Sequence, residues 1–384
     1  MSFLSTLASA FKGGGRSRVP LARSFTSPWS FALEPAPFEY RHAVRRAFLD
    51  NPVAQRAVRL VAEGVGGAPL AGDPAARQLV GEASAGPSTG SGSLLETLAS
   101  QLLLHGNGYV QIVHGGSGAP EELFAMRPER VAVVAGADGW PAGYRYAVGD
   151  KTLTLPVEDE DGWPQVIHLK GYHPADDHYG AGCLAAAGQA VAIHNAASAW
   201  NRALLENAAR PSGALVYETG QGDGLTGEQF ERLKAELHGA YTGAGNAGRP
   251  LVLEGGLKWQ AMSLTPADMD FAELKAAAAR DIALAFGVPP MLLGLPGDNT
   301  YANYREANRA LWRLTLLPLA GKILSGLSEG LRPWFPKLEL RIDLDRVPAL
   351  AEDRERLWAQ VSAADFLERE EKRALLGIQT ENKS

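Results

Sequence analysis

Apolar and polar positions along this chain follow two periods, and the period changes from region to region. Residues 36–70 repeat at helical spacing. HAVRRAF leads into NPVAQRAVRLVAEGVGG, where Asn51 is placed to cap and Pro52 suits a first helical turn; Val53, Ala57, Leu60 and Val61 share a face. Residues 72–93 shift to Gly, Ser, Ala and Pro, the composition of a flexible surface loop. Residues 93–106, SLLETLASQLLLHG, give a second helix, ended by Gly106. The period then drops to two. Residues 109–113, 130–134 and 165–170 read as strands, and residues 144–155 as a hairpin around Gly149 and Asp150. Helices followed by short alternating strands predict an α+β region with an antiparallel sheet.

Residues 184–210 are Ala-rich, free of proline and helical in period, which predicts a rod of roughly 40 Å. It stops at Pro211-Ser-Gly213. A small unit follows: a strand at 214–217, a helix, and a strand at 251–254. Thr226 opens that helix with Gln229 as its capping-box partner, and Phe230, Leu233, Leu237 and Tyr241 fall on one face. A further helix covers 266–286, with Phe271, Leu274, Ala278, Ile282 and Ala285 in phase. Next comes FGVPPMLLGLPGDNTYANY, residues 286–304, with three prolines and three glycines between two helical patterns. Loops of this length inside a compact protein are usually functional or disordered. The helical pattern resumes from 301 to 331 and contains Pro318, which predicts a kink at 314–318. Residues 338–343 alternate as a strand, and 349–377 form a charged helical tail. The two long helices flanking the small unit predict that it stands away from the main body on a stalk.

Composition narrows the function. The chain has 384 residues, 46% hydrophobic and 21% charged, enough for two or three domains with a core. A net charge of -6 argues against a protein that grips nucleic acid by neutralising phosphates, but not against one that lets it slide past. The single cysteine, Cys183, excludes an internal disulfide and a Cys-based zinc site. No run of 18 apolar residues occurs, so no membrane helix is expected. The start, MSFLSTLASAF, lacks a positive flank and is broken by serines; residues 1–35 read as a mobile arm hinged at GGGRSR, 13–18.

Several stretches carry the spacing of known chemistry. Gly243-Ala-Gly245-Asn-Ala-Gly248 matches GxGxxG, but a helix precedes it and a strand follows, the reverse of a dinucleotide site. Gly86-Pro-Ser88-Thr-Gly90 matches the nucleophile elbow, but lies in low-complexity sequence with no strand before it. No GxxxxGK[ST] is present. His168, His173, Asp176, Asp177 and His178 crowd into HLKGYHPADDHYG, and could serve a metal-dependent hydrolase, although the spacing fits no ligand signature. Asp298 has no visible catalytic partner; Asp298, Asn299 or Thr300 is better placed to start the next helix.

The region from 166 to 331 resembles the portal proteins of phages with long, non-contractile tails. The resemblance rests on Met126-Arg-Pro-Glu-Arg-Val131, Val166-Ile-His-Leu169, Pro211-Ser-Gly-Ala-Leu215 and the run from Leu225 to Leu233. It continues through Asn246-Ala-Gly-Arg-Pro250, Leu253-Glu-Gly-Gly-Leu257 and Gly287-Val-Pro-Pro-Met-Leu-Leu-Gly294. It ends with Asn299-Thr-Tyr-Ala-Asn303 and Thr315-Leu-Leu-Pro318. Order and spacing make the set specific. The resemblance implies an α+β portal fold, with residues 36–182 as wing, 183–210 and 265–286 as stem helices and 211–264 as a small α/β clip. It makes 287–303 a tunnel loop, 304–348 a kinked helix with a returning wing strand, and 349–384 a short helical crown. It implies a ring-shaped homo-oligomer, a dodecamer, at one capsid vertex of a virion or of a gene transfer agent, assembled in the host cytoplasm, with no catalytic role, cofactor or metal. Double-stranded DNA would pass through the channel during packaging and ejection. The implied partners are the large terminase motor, the major capsid protein and a head-tail adaptor, with no membrane. Val288, Pro289, Pro290, Leu295, Asp298, Asn299 and Thr300 would belong to the tunnel loop. Thr226, Phe230, Leu233, Leu237, Tyr241, Asn246 and Arg249 would belong to the clip surface that docks motor and adaptor.

Overall fold

The computed structural model describes residues 39–82, 93–116, 118–206, 213–217, 226–241, 257–261, 271–296 and 300–377. They divide into two compact units. Residues 39–40, 61–183 and 316–377 form the first; residues 41–60 and 184–315 form the second.

Helix α1 (Tyr40–Val44) runs into a π turn (Arg45–Leu49), then α2 (Pro52–Gly66). Asn51 caps α2 as expected, its Oδ1 accepting from the Ala54 N–H at 2.9 Å. The inward stripe is Ala54, Ala57, Val58, Val61, Ala62 and Val65, with Val53 and Leu60 half-exposed at its edges. After β1 (Leu70–Ala71), the stretch read as loop from 72 to 93 contains a helix, α3 (Pro74–Glu82). Its start follows from local chemistry: Asp73 accepts from the N–H groups of Ala75 and Ala76, and Pro74 supplies a helical φ where no donor is needed. Ala76, Leu79 and Val80 are buried, so its small residues serve packing.

In the first unit, α4 (Leu94–Leu104) starts at Ser93, whose Oγ accepts from the Glu96 N–H, and buries Leu94, Leu95, Leu98, Ala99, Leu102, Leu103 and Leu104. It covers an antiparallel sheet of order β3-β2-β7, built from β2 (Asn107–His114), β3 (Pro120–Met126) and β7 (Val166–Lys170). Sequence pattern did not reveal β3, because Glu121 and Glu122 interrupt its alternation. A second antiparallel sheet, β4-β5-β6, contains β4 (Val131–Ala135), β5 (Pro141–Val148) and β6 (Lys151–Pro156), with the expected hairpin turning at Gly149. Tyr109, Met126, Val131, Val133, Tyr144, Leu155 and Val166 form one core cluster. Each such buried side chain contributes about 1.5–3 kcal/mol.

Helix α9 (Leu317–Leu331) lies against α4 and β7. Close approach depends on Gly326 and Gly330: a Cβ would come within 2.1 Å of Leu169 at the first and 2.4 Å of Ile167 at the second. The kink expected near Pro318 is a π turn, Trp312–Leu316, just before α9. The missing proline N–H and the ring's clash with the preceding turn account for the widened coil. The strand expected over 338–343 shrinks to β10 (Arg341–Ile342), paired antiparallel with β1. Its neighbours bond elsewhere: the Leu338 N–H to the Phe335 carbonyl and the Leu340 N–H to the Ser328 Oγ. The charged tail forms two helices as expected, α10 (Ala351–Ala363) and α11 (Arg369–Leu375); Glu368 and Glu371 close a capping box on the second.

The second unit contains the long helix α5 (Cys183–Glu206), roughly 36 Å at 1.5 Å per residue. A buried polar node fastens α5 to the N-terminal helices. Asn51 Nδ2 donates to Asn195 Oδ1 at 2.8 Å and lies 3.1 Å from His194 Nδ1, while Asn195 Nδ2 donates to the Arg46 carbonyl. The small unit pairs β8 (Gly213–Tyr217) antiparallel with β9 (Leu257–Ala261), five residues each, and includes α6 (Gly227–Tyr241). The strand expected at 251–254 lies outside the described residues, and β9 was not anticipated. Helices α7 (Phe271–Ala285) and α8 (Tyr301–Leu311) frame the loop discussed next. Among the described residues, no helix is long and apolar enough to cross a membrane.

Candidate functional site

The loop between α7 and α8 is largely built structure. Helix α7 buries Ala278, Ala279, Ile282, Ala283 and then Phe286, whereas Leu274, expected on the same face, is exposed. The helix ends in a Schellman turn. Gly287 sits at φ +65°, its N–H bonds the Leu284 carbonyl at 3.0 Å, and the Val288 N–H reaches back to the Ala283 carbonyl at 2.9 Å. Val288, 3% exposed, is the apolar plug of this motif, so within the chain it anchors the loop. Thr315 locks the turn from outside, donating from Oγ1 to the Gly287 carbonyl at 2.6 Å.

Pro289 and Pro290 then set a short 3₁₀ turn, Pro290–Leu293, because proline fixes φ near the value such turns need. The turn closes at Gly294, φ +71°, and the Leu295 N–H bonds the Pro290 carbonyl at 3.3 Å. Arg280, from one turn back on α7, donates from Nη2 to the Pro296 carbonyl at 3.1 Å. Leu295 is half-buried and Pro290 exposed. Asp298 and Asn299 lie outside the described residues. Of the three polar residues that could start α8, Thr300 does so, its Oγ1 accepting from the Asn303 N–H at 3.2 Å. Tyr301 through Glu306 are all exposed, and the Arg305 guanidinium lies 6.0 Å from the Tyr301 ring centroid.

Of the residues expected on the clip surface, Thr226 forms the expected capping box with Gln229: the Thr226 N–H donates to Gln229 Oε1 at 3.0 Å, and Thr226 Oγ1 accepts from the Gln229 N–H at 3.4 Å. Phe230 is 55% exposed and Leu233 half-buried. Leu237 and Tyr241 are on α6, but their side chains are not among those described. Asn246, Arg249, the GxGxxG stretch and the Gly86–Gly90 stretch lie outside the described residues.

The histidine-rich stretch is structural where it is described, and the hydrolase reading is withdrawn. His168 stacks on Tyr109 with ring centroids 4.3 Å apart and bonds Asn107 through Nε2. Burial holds its pKa down to about 3, with Lys170 adding to the effect, so the imidazole is neutral. Asp176 accepts from the N–H groups of His178 and Tyr179, an Asx turn, and His173 Nδ1 accepts from the Ala175 N–H. Among the described residues, no group of three His, Cys, Asp or Glu side chains is arranged to hold a metal ion. Sequence reasoning missed three long-range contacts that position the loop and α5: Arg280 to Pro296, Thr315 to Gly287, and Asn51 to His194 and Asn195. None has a local pattern.

Comparison with known proteins agrees with this geometry. The sequence matches the family described as phage portal protein over residues 52–377. A protein of Rickettsia bellii (strain RML369-C) is 41% identical over 350 residues, 86% of this chain and 88% of that one. A chain in the neck of a native gene transfer agent (GTA) particle, determined with C12 symmetry, is 49% identical with a TM-score of 0.68, covering 90% of this chain and 94% of that one. A phage portal protein of the HK97 family from Corynebacterium diphtheriae shares the fold, with a TM-score of 0.56 at 18% identity over 79% of this chain and 98% of that one. The chain belongs to the phage portal protein family.

Proposed function

We propose that this chain is the portal subunit of a gene-transfer-agent-like or phage particle, forming a twelve-membered ring at one capsid vertex. The observation that carries this reading is the 49% identity to the GTA neck chain over nine-tenths of both chains, in a particle region with C12 symmetry. Identity at that level over full length supports a shared role, and favours the gene transfer agent over other phage-like particles. In this reading the ring conducts double-stranded DNA during packaging and ejection. It docks the large terminase motor and then a head-tail adaptor, contacts the major capsid protein, is assembled in the host cytoplasm, and performs no catalysis itself.

The subdomain assignment belongs to the same proposal: wing at 36–182 with its returning strand, stem at 183–210 and 265–286, clip at 211–264, tunnel loop at 287–303, crown at 349–384. Physical properties support it. A ring requires a heterologous contact that closes, and α5 exposes Ala185, Ala186, Ala196 and Ala199, small residues that permit close helix approach. A net charge of -6 per subunit discourages tight phosphate binding, as a conduit needs. A bore-lining loop should be held by rigid helices at both ends, and the Gly287 turn and Thr300 cap are such attachments.

Native mass spectrometry and electron microscopy of the purified chain, with imaging of particles from the producing cell, test the reading. Twelve-fold rings at a particle vertex are expected; a monomer showing enzymatic turnover would overturn it. Deleting residues 295–299 should leave rings intact but lower the yield of DNA-filled particles. Failure of rings to form would make the loop structural.

A further inference from the structure

The segment between β7 and α5, residues 171–182, passes over the end of α4 as a strap, and its fastening is built around one buried side chain. Asn107, 1% exposed, accepts at Oδ1 from the Gly180 N–H at 2.7 Å and donates from Nδ2 to the Gly180 carbonyl at 3.2 Å. Its amide thus pairs with both backbone groups of Gly180, which fixes its orientation. The Gly171 N–H bonds the Gly106 carbonyl at 2.7 Å. Glycines 106, 171, 180 and 182 meet backbone to backbone, with no room for a Cβ at any of the four. Tyr179 Oη accepts from the Val133 N–H, and Lys170 Nζ donates to the Asp177 carbonyl.

Two histidines complete the fastening. The fixed Asn107 orientation sets the roles that satisfy the neighbouring rings. His168 Nε2, 3.1 Å from Asn107 Oδ1, must donate. His105 Nδ1, 3.2 Å from Asn107 Nδ2, accepts and so carries no proton; the His105 carbonyl, 3.4 Å from the same nitrogen, is a second and longer acceptor. Protonating His105 at Nδ1 sets donor against donor. Rotating the Asn107 amide to repair that contact would turn Nδ2 toward the Gly180 and His168 donors, so the amide has no alternative orientation. A third ring, His178, is 2% exposed and its Nδ1 has no hydrogen-bond partner.

The groups facing this cluster offer little to stabilise an added positive charge. His168 faces Lys170, His178 and His105, with Tyr109 stacked on it and Tyr144 at its edge. His105 packs against the Tyr40 ring, and among the described residues Glu129 is the carboxylate acting on it. Asp176, a carboxylate of the strap, is engaged by its own turn. Burial favours the neutral form of both His105 and His168.

We propose that Asn107, His105 and His168 form an acid-sensitive latch on residues 171–182. At neutral pH the strap is closed; proton uptake by His105 sets a donor against the fixed Asn107 amide and releases the strap, His168 taking up its proton only once released, while the surrounding sheet and α9 stay folded.

Hydrogen exchange followed by mass spectrometry on the full chain, at about pH 7.5 and about pH 5, tests this across the histidine titration range. After correction for intrinsic rates, exchange of 171–182 should speed up at least about tenfold at the lower pH, with residues 317–331 unchanged. His105→Asn keeps an acceptor where Nδ1 stands, and His168→Gln keeps a donor where Nε2 stands; neither titrates. The double variant should therefore hold the strap closed at both pH values. Two wild-type results overturn the proposal without any variant: equal strap protection at both pH values, or joint loss of protection in the strap and in 317–331. A folded double variant whose strap still opens at the lower pH overturns it as well.

Discussion

Replacing Gly287 by Ala tests whether the loop's root is held as described. Gly287 lies at φ +65°, where an L-residue costs roughly 1–2 kcal/mol. The new Cβ would come 2.9 Å from Thr315 Oγ1, closer than real Cβ contacts allow, so Thr315 must shift. That shift breaks its 2.6 Å bond to the Gly287 carbonyl, a further loss of about 1 kcal/mol. The sum, about 2–3 kcal/mol, should appear as local opening of residues 283–288, roughly 30- to 150-fold faster in native-state hydrogen exchange. Thr315→Ala alone should cost about 1 kcal/mol. Combined with Gly287→Ala it should add almost nothing, because the bond is already gone and the clash is removed. The coupling is then about 1 kcal/mol. If the two changes add within about 0.5 kcal/mol, they act independently and the proposed lock does not exist.

Three further outcomes are expected. Asn51→Ala removes the α2 cap and the bond to Asn195, and should lower stability by about 2–4 kcal/mol in thermal unfolding, whereas Asn51→Asp keeps the cap and loses only the contacts to His194 and Asn195. His168 has a folded pKa of about 3 against 6.5, so its contribution is fully present above about pH 6.5 and is lost as pH falls toward 3; the loss reaches about 5 kcal/mol and should shrink in His168→Gln when denaturant midpoints are compared across that range. Changing both Leu233 and Leu237 to Asp should disrupt α6 packing and weaken binding of the packaging motor in a pull-down; unchanged binding would remove these residues from the docking surface.

What the sequence disclosed follows from where the information is stored. Local pattern was sufficient for α2, α4, the β5–β6 hairpin, the Thr226–Gln229 capping box and the coil defect before Pro318, because each depends on residues within one or two turns. It failed where composition misled: Asp73-Pro74 starts a helix inside a stretch that reads as low complexity, and β3 hides behind two glutamates. It failed again where partners are distant. Residues 338–343 alternate as a strand should, but a two-residue partner, β1, limits the ladder to two residues. The loop was located correctly from its prolines and glycines. Its supports were not, because Arg280 and Thr315 look like ordinary helical residues until the fold brings them to Pro296 and Gly287.

In the proposed portal ring, those supports bear on how the loop would respond to DNA. Residues 286–296 are shaped by a buried Val288, two left-handed glycines and the Arg280 bond to the Pro296 carbonyl, so this half of the loop is a fixed extension of α7. A positive-φ glycine here defines one geometry; it does not act as a free joint. If the loop adapts to a moving duplex, the change must either lie beyond Pro296 or break one of these supports. The exposed Arg280 bond is one of these supports, worth about 0.5–1.5 kcal/mol. Arg280→Ala should therefore leave melting and ring formation nearly unchanged, yet reduce the fraction of particles that retain packaged DNA under dilution. Unchanged retention in intact rings would show that loop position at Pro296 does not matter to the channel. Loss of rings would show instead that Arg280 serves the contact between subunits.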